Sequence, residues 1–267
     1  AFQHAGVGFT KFSALIGGAG TDVITLSPLA DTLTVSAPKL LAVSGLSFSQ
    51  FETVDALGGD DQVILSPGSN AVTVLGTRSI GVFDLTLNNI ERVAGNGGGD
   101  TVLLGAGNDQ IGLIGTNAFG VAGIEFTAFS GIDAGPGLDL VTLSSGNDQV
   151  QGLAAGSFAS AGVTFSNVES VNAGVGFDAL TLTSFGDQVA VTGPNSLNAL
   201  AINFSGIDGV AGGAGYDSII LPAGADAILL AGPGAVNAAA ILFTEIEAVD
   251  AAGGADTLTL TPGPDTV

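Results

Sequence analysis

Apolar residues recur at every second position in short runs along the whole chain, as in Leu33-Thr34-Val35 and Val63-Ile64-Leu65. Gly, Pro, Asn or Ser bounds each run, and the period of two with such boundaries predicts short β-strands. No segment keeps a helical period over a useful length, so the pattern predicts an all-β chain.

The strands fall in register. Aspartates stand at Asp22, Asp61, Asp100, Asp139, Asp178, Asp217 and Asp256, each 39 residues from the last. Glycine always lies two positions before them, from Gly20 to Gly254, and leucine four after, from Leu26 to Leu260. A second polar column runs Asp31, Asn70, Asp109, Asp148, Asp187, Asp226 and Asp265. Phe9, Phe48, Leu87, Phe126, Phe165, Phe204 and Phe243 form an aromatic column, and Leu15, Val54, Val93, Ile132, Val171, Val210 and Val249 a mainly β-branched one. Both are expected in the core. The domain is one array with units 7–45, 46–84, 85–123, 124–162, 163–201 and 202–240, a partial unit 241–267, and residues 1–6 as the end of a preceding unit. No capping sequence stands at either end, which leads us to expect a piece of a longer array or a protomer that stacks end to end.

Two architectures use such units. A seven-bladed β-propeller has four short strands per blade at about this repeat length. A β-solenoid of the parallel β-roll or β-helix kind stacks coils and must match residue for residue. The repeat has no insertion or deletion, and this favours the solenoid. Each unit divides into a Gly-Asp stretch and a stretch carrying the Phe column. Two coils per unit would give about 14 coils and a rod of roughly 65 Å, while one large coil per unit is the alternative. If Leu26-type residues face inward, then Thr25, Ile64, Leu103, Thr142, Thr181, Ile220 and Thr259 form an outward, partly apolar column suited to lateral packing.

Composition narrows the function. A hydrophobic fraction of 46% with 11% charged residues is too apolar for a disordered acidic chain. No apolar run approaches the roughly 18 residues of a membrane span. The opening AFQHAGVGF has no basic region followed by an apolar core, so any export signal lies outside it. The net charge is −21, with Lys11, Lys39, Arg78 and Arg92 the only basic residues besides His4. Such a chain is a poor partner for nucleic acid and a natural one for divalent cations. The absence of Cys excludes disulfides and thiolate metal sites, and fits an extracellular protein.

No catalytic constellation emerges. His4 is the only histidine and stands at a position held elsewhere by Val43, Val82 and Val121; a Ser-His-Asp triad would have to form at a terminal coil. GNGGGD lacks the lysine and helix of a phosphate loop. Rows of carboxylates repeated in every unit fit a lattice better than one tuned acid/base pair, so no enzyme is expected. Five further acids, Glu52, Glu91, Glu169, Asp208 and Glu247, form another column, and stacked like charges need cations, hydrogen bonds or solvation.

The stretches GGAGTDVITL, GAGNDQIGL, GPGLDLVTL, SSGNDQVQG and GGAGYDSIIL resemble the calcium-binding nonapeptides of RTX, haemolysin-type, β-rolls found in large bacterial surface and secreted proteins. The resemblance implies Ca²⁺ held between coils by carboxylates and backbone carbonyls. Its candidate ligands here are Asp22, Asp61, Asp100, Asp139, Asp178, Asp217 and Asp256, with Asp31, Asp109, Asp148, Asp187, Asp226 and Asp265. The plain alternative is that each aspartate accepts backbone N–H groups of its own turn. The function expected is a structural extracellular repeat protein of a filament, sheath, surface layer or adhesin stalk that self-assembles end to end and laterally. A carbohydrate- or surface-binding module, or a passive repeat region of a larger secreted protein, is the alternative.

Overall fold

The computed structural model describes residues 11–260 in full and the backbone of 2–4 and 7–9. All regular structure in these residues is β, arranged as stacked parallel coils: the chain is a β-solenoid and not a propeller. It divides into two compact units, residues 1–105 with 117–133, and residues 106–116 with 134–267.

In the first unit, β1 (Phe2–His4) and β2 (Val7–Phe9) form a separate antiparallel pair. There follow β3 (Ala14–Ile16), β4 (Val23–Thr25), β5 (Thr32–Ala37), β6 (Leu40–Val43), β7 (Leu46–Ser49), β8 (Thr53–Asp55) and β9 (Gln62–Leu65). Then come β10 (Ala71–Gly76), β11 (Ser79–Val82), β12 (Leu85–Asn88), β13 (Arg92–Ala94) and β14 (Thr101–Leu103). One sheet has the order β14-β10-β11-β12-β8-β4, and the other contains β3-β7-β6-β5-β9-β13. The chain therefore changes sheet after every short strand and after every three-stranded meander, β5–β7 or β10–β12.

Each 39-residue repeat thus makes three passes, one short strand, one meander and one short strand, which is one and a half turns. Neither coil count read from the sequence holds. Because the number of passes is odd, equivalent residues of successive repeats lie on opposite sheets. The meander goes to alternate faces, so neither sheet grows taller than the other. The outward column is divided for the same reason: Thr25 and Leu103 lie on one sheet of this unit and Ile64 on the other. Thr25 and Leu103 are exposed and Ile64 half-buried, so they make no continuous stripe.

Turn chemistry makes the meanders. β5 bulges between Val35 and Ala37 before a turn in which Lys39 has φ 53°. Ser44 and Gly45, at φ 50° and 79°, then form a two-residue hairpin loop with both residues left-handed, the geometry that matches strand twist. Parallel ladders hold the short strands, with Val54 set between Ile24 and Leu87.

The second unit repeats this plan with one sheet containing Thr257–Thr259, Ala227–Gly232, Ala235–Ala238 and Ile241–Thr244 in order, and the other containing Gln188–Gly193 beside Ser218–Ile220. Its outward column is also divided, Thr142 and Ile220 on one sheet and Thr181 and Thr259 on the other.

The expected core columns are buried except at their ends, where Leu15 is half-buried and Val249 is exposed, and the Phe9 side chain lies outside the described residues. Phe48, Leu87, Phe126, Phe165, Phe204 and Phe243 are all buried on the third strand of successive meanders. Each faces a middle-strand neighbour, such as Phe119 against Phe126 and Phe158 against Phe165. The rings of Phe158 and Phe165 stack at 4.7 Å. Val54, Val93, Ile132, Val171 and Val210 are buried as well.

Candidate functional site: the acidic edges

The loops that carry the chain between sheets line both edges of the coils, and most of the described acidic residues sit there. In the first unit the Asp31 N–H donates to Asp61 Oδ1 at 2.7 Å, and the Asp61 N–H to Glu91 Oε2 at 2.8 Å. At the opposite edge the Asp22 N–H donates to Glu52 Oε2 and the Asn70 N–H to Asp100 Oδ1, both at 2.8 Å. Each pair is 30 residues apart, one coil step.

The second unit repeats the series. Asp109 donates to Asp139 and Asp139 to Glu169, at 2.7 and 2.8 Å. Asp187 donates to Asp217 and Asp217 to Glu247, both at 2.7 Å. At its other edge Asp148 donates to Asp178 at 2.8 Å, Asp178 to Asp208 at 3.0 Å, and Asp226 to Asp256 at 3.0 Å. The bond is reciprocal in direction. While the Asp61 N–H reaches forward to Glu91, its carbonyl accepts the Arg92 N–H at 3.0 Å, and the Asp217 carbonyl accepts that of Ala248 at 3.2 Å. Two coils are thus held by a backbone acceptor and a carboxylate acceptor side by side.

The second carboxylate oxygen separates most members of the two columns, although Asp226 Oδ2, in the Asp31-type column, is buried without a partner. Asp31 Oδ2 accepts from the Ser27 N–H and hydroxyl, Asp148 Oδ2 from the Ser144 hydroxyl, and Asp187 Oδ2 from the Thr183 N–H and hydroxyl. These aspartates close their own turns. In the Asp22-type column, Asp61, Asp100, Asp139, Asp178 and Asp217 are fully buried, and Oδ2 of each has no hydrogen-bond partner. Burial pushes the carboxyls of Asp61, Asp139, Asp178 and Asp217 above the usual range, with neighbouring carboxylates adding to it. Asp22 differs because its Oδ2 accepts the Gly18 N–H at 2.7 Å.

The Glu52-type column finds partners at the first meander turn. Lys39 pairs with Glu52 at 2.7 Å and Arg78 with Glu91 at 3.1 Å, and Asn195 Nδ2 donates to Asp208 at 2.8 Å. The Asp22 N–H and then the Lys39 ammonium hold the Glu52 carboxyl below its usual range. In this column the sequence showed charge but not its role. The signal was present as the constant offset of 30 between Asp31 and Asp61, Asp61 and Glu91, and Asp22 and Glu52.

The glycine column has a steric reason as well as a conformational one. Gly215 has φ 131°, and a Cβ there would lie 2.5 Å from the Phe185 carbonyl carbon of the adjacent coil.

The structure brings Asp31-type residues against Asp22-type residues of the next repeat, and does not gather members of one column. Asp265 lies outside the described residues. The coil-to-coil carboxylate oxygen faces N–H donors, and among the described residues no three acidic or histidine side chains converge on a point able to hold a metal. Neither a family model nor a curated protein sequence matches the chain.

Proposed function

We propose that this is a structural extracellular repeat protein, a scaffold of the filament, sheath, surface-layer or stalk kind. The reciprocal carboxylate clamp supports this reading: it recurs on coil after coil at both edges, so the polar chemistry is committed to cohesion. The resemblance of the Gly-Asp stretches to RTX repeats of surface and secreted proteins agrees with it.

Among the described residues, β3 and β4 of the first unit, and Ala248–Asp250 and Thr257–Thr259 of the second, each pair on one side alone. Val249 and Leu258 are 39% and 58% exposed there. A further coil, from the same chain or a second copy, fits such an edge. Negative-stain imaging across a concentration series tests assembly: rods that lengthen with concentration are expected, and dispersed single particles at every concentration overturn it.

A binding role has its own support in the second unit, where Phe177, Phe185 and Tyr216 stand at turn tips, 53%, 76% and 66% exposed. Exposed rings suit stacking on sugar faces. Glycan-array binding lost on Phe185→Ala and Tyr216→Ala would support that role, and no binding to any glycan would refute it.

A further inference from the structure

We infer that the aspartate columns are hydrogen-bond clamps for which neutral side chains suffice, so that the coils hold together without calcium. This holds whether or not the coils assemble further.

Three observations carry it. First, the oxygen that links neighbouring coils accepts a backbone N–H in every pair described above, and a cation at that oxygen would meet the positive end of the N–H dipole. Second, the other oxygen of Asp61, Asp100, Asp139, Asp178 and Asp217 is sealed inside the coil, where no solvated ion has access. Its surroundings are backbone: a Cβ on Gly95 would collide with both Asp100 Oδ2 and the Ala128 carbonyl oxygen, and one on Gly212 with both Asp217 Oδ2 and the Glu245 carbonyl oxygen. A carboxylate oxygen and a carbonyl oxygen therefore border the same small gap, which a hydrogen-bond donor such as an amide N–H or a protonated carboxyl can bridge.

Third, the chain already contains neutral replacements. Asn70 stands in the Asp31-type column with its N–H still bonded to Asp100 Oδ1. Its Nδ2 donates to the Ser66 and Gly68 carbonyls and to Asp100. The coil step is kept, since the Thr101 N–H reaches the Asn70 carbonyl at 2.9 Å. Ser130 stands in the Glu52-type column, and its N–H bonds the Asp100 carbonyl at 3.0 Å.

At Asp217, asparagine would keep Oδ1 as acceptor for the Asp187 N–H and aim Nδ2 at the Glu245 carbonyl. Extracellular calcium modules bind with Kd of about 10⁻⁴ to 10⁻³ M, so roughly 10 mM calcium saturates them. Thermal melting of the unaltered chain, followed by circular dichroism, is compared in that buffer and in excess EGTA. The midpoints are expected to agree within about 3 °C, a fraction of the usual effect of one strong contact. Asp217→Asn is expected to melt at or above the unaltered chain in both buffers, and Asp217→Ala below it. A calcium-dependent rise beyond about 3 °C overturns the inference, as does an Asp217→Asn midpoint as low as that of Asp217→Ala. Should a variant not fold, the calcium comparison on the unaltered chain decides alone.

Discussion

Replacing Phe158 by alanine tests whether rings packed within and between the meanders carry the stability. Phe158 is fully buried, stacks on Phe165 with an interplanar angle of 10° and meets Phe204 edge-on at 6.5 Å. Truncating a buried phenylalanine costs about 3–5 kcal/mol through lost transfer energy and the cavity left behind. Two ring contacts at about 0.5–1.5 kcal/mol each place this site toward the upper end. In chains of 150–250 residues 1 kcal/mol moves the melting point by about 2–4 °C, so a fall on the order of 10 °C or more is expected. Because each coil touches only its neighbours, hydrogen exchange should accelerate first in 150–210 and least near residue 24. Phe185→Ala is the control: its ring is 76% exposed and the melting point should hardly move. Equal effects of the two substitutions, or a fall under about 3 °C for Phe158→Ala, would refute the reasoning.

Three other outcomes follow from the same geometry. The raised carboxyls of Asp61, Asp139, Asp178 and Asp217 bind protons more tightly folded than unfolded. Their contribution is present below the unfolded pKa of about 3.9 and is lost as pH rises through the folded values. The lowered Glu52 works in the opposite direction, but four groups oppose one, and acidification also relieves a net charge of −21. The melting point should therefore rise from pH 8 toward about pH 4, and a steady fall would contradict it. Ala239 and Ala240 occupy a hairpin loop at φ 51° and 63°. Ala240→Gly should stabilise by roughly 1 kcal/mol in a denaturant titration, and a loss would show the loop is unstrained. Gly215→Ala should cost about 3 kcal/mol or more, combining unfavourable φ with a backbone clash; a change within about 0.5 kcal/mol would show that the adjacent coil yields.

Strand type, core columns and the solenoid were legible because each depends on local alternation and strict spacing. Phe126 and Val171 declare themselves by position alone. The number of turns was not legible, since Ser44-Gly45 signals a reversal without saying that the returning strand stays in the same sheet. That hidden reversal makes three passes out of one repeat and sends Ile64 and Thr25 to opposite faces. For the acidic residues, composition and column membership gave the charge, but pairing Asp61 with Glu91 requires the coil step of 30, which the dominant period of 39 masks.

The odd number of passes also bears on how such an array can change length. Loss or duplication of a single 39-residue repeat would keep every internal bond pattern yet rotate all that follows by half a turn, presenting Tyr216 and Phe185 on the reverse edge. Changes by two repeats restore the original presentation. Anything that recognises one edge of this solenoid at two separated points would accept length variants in steps of two repeats and reject the odd ones.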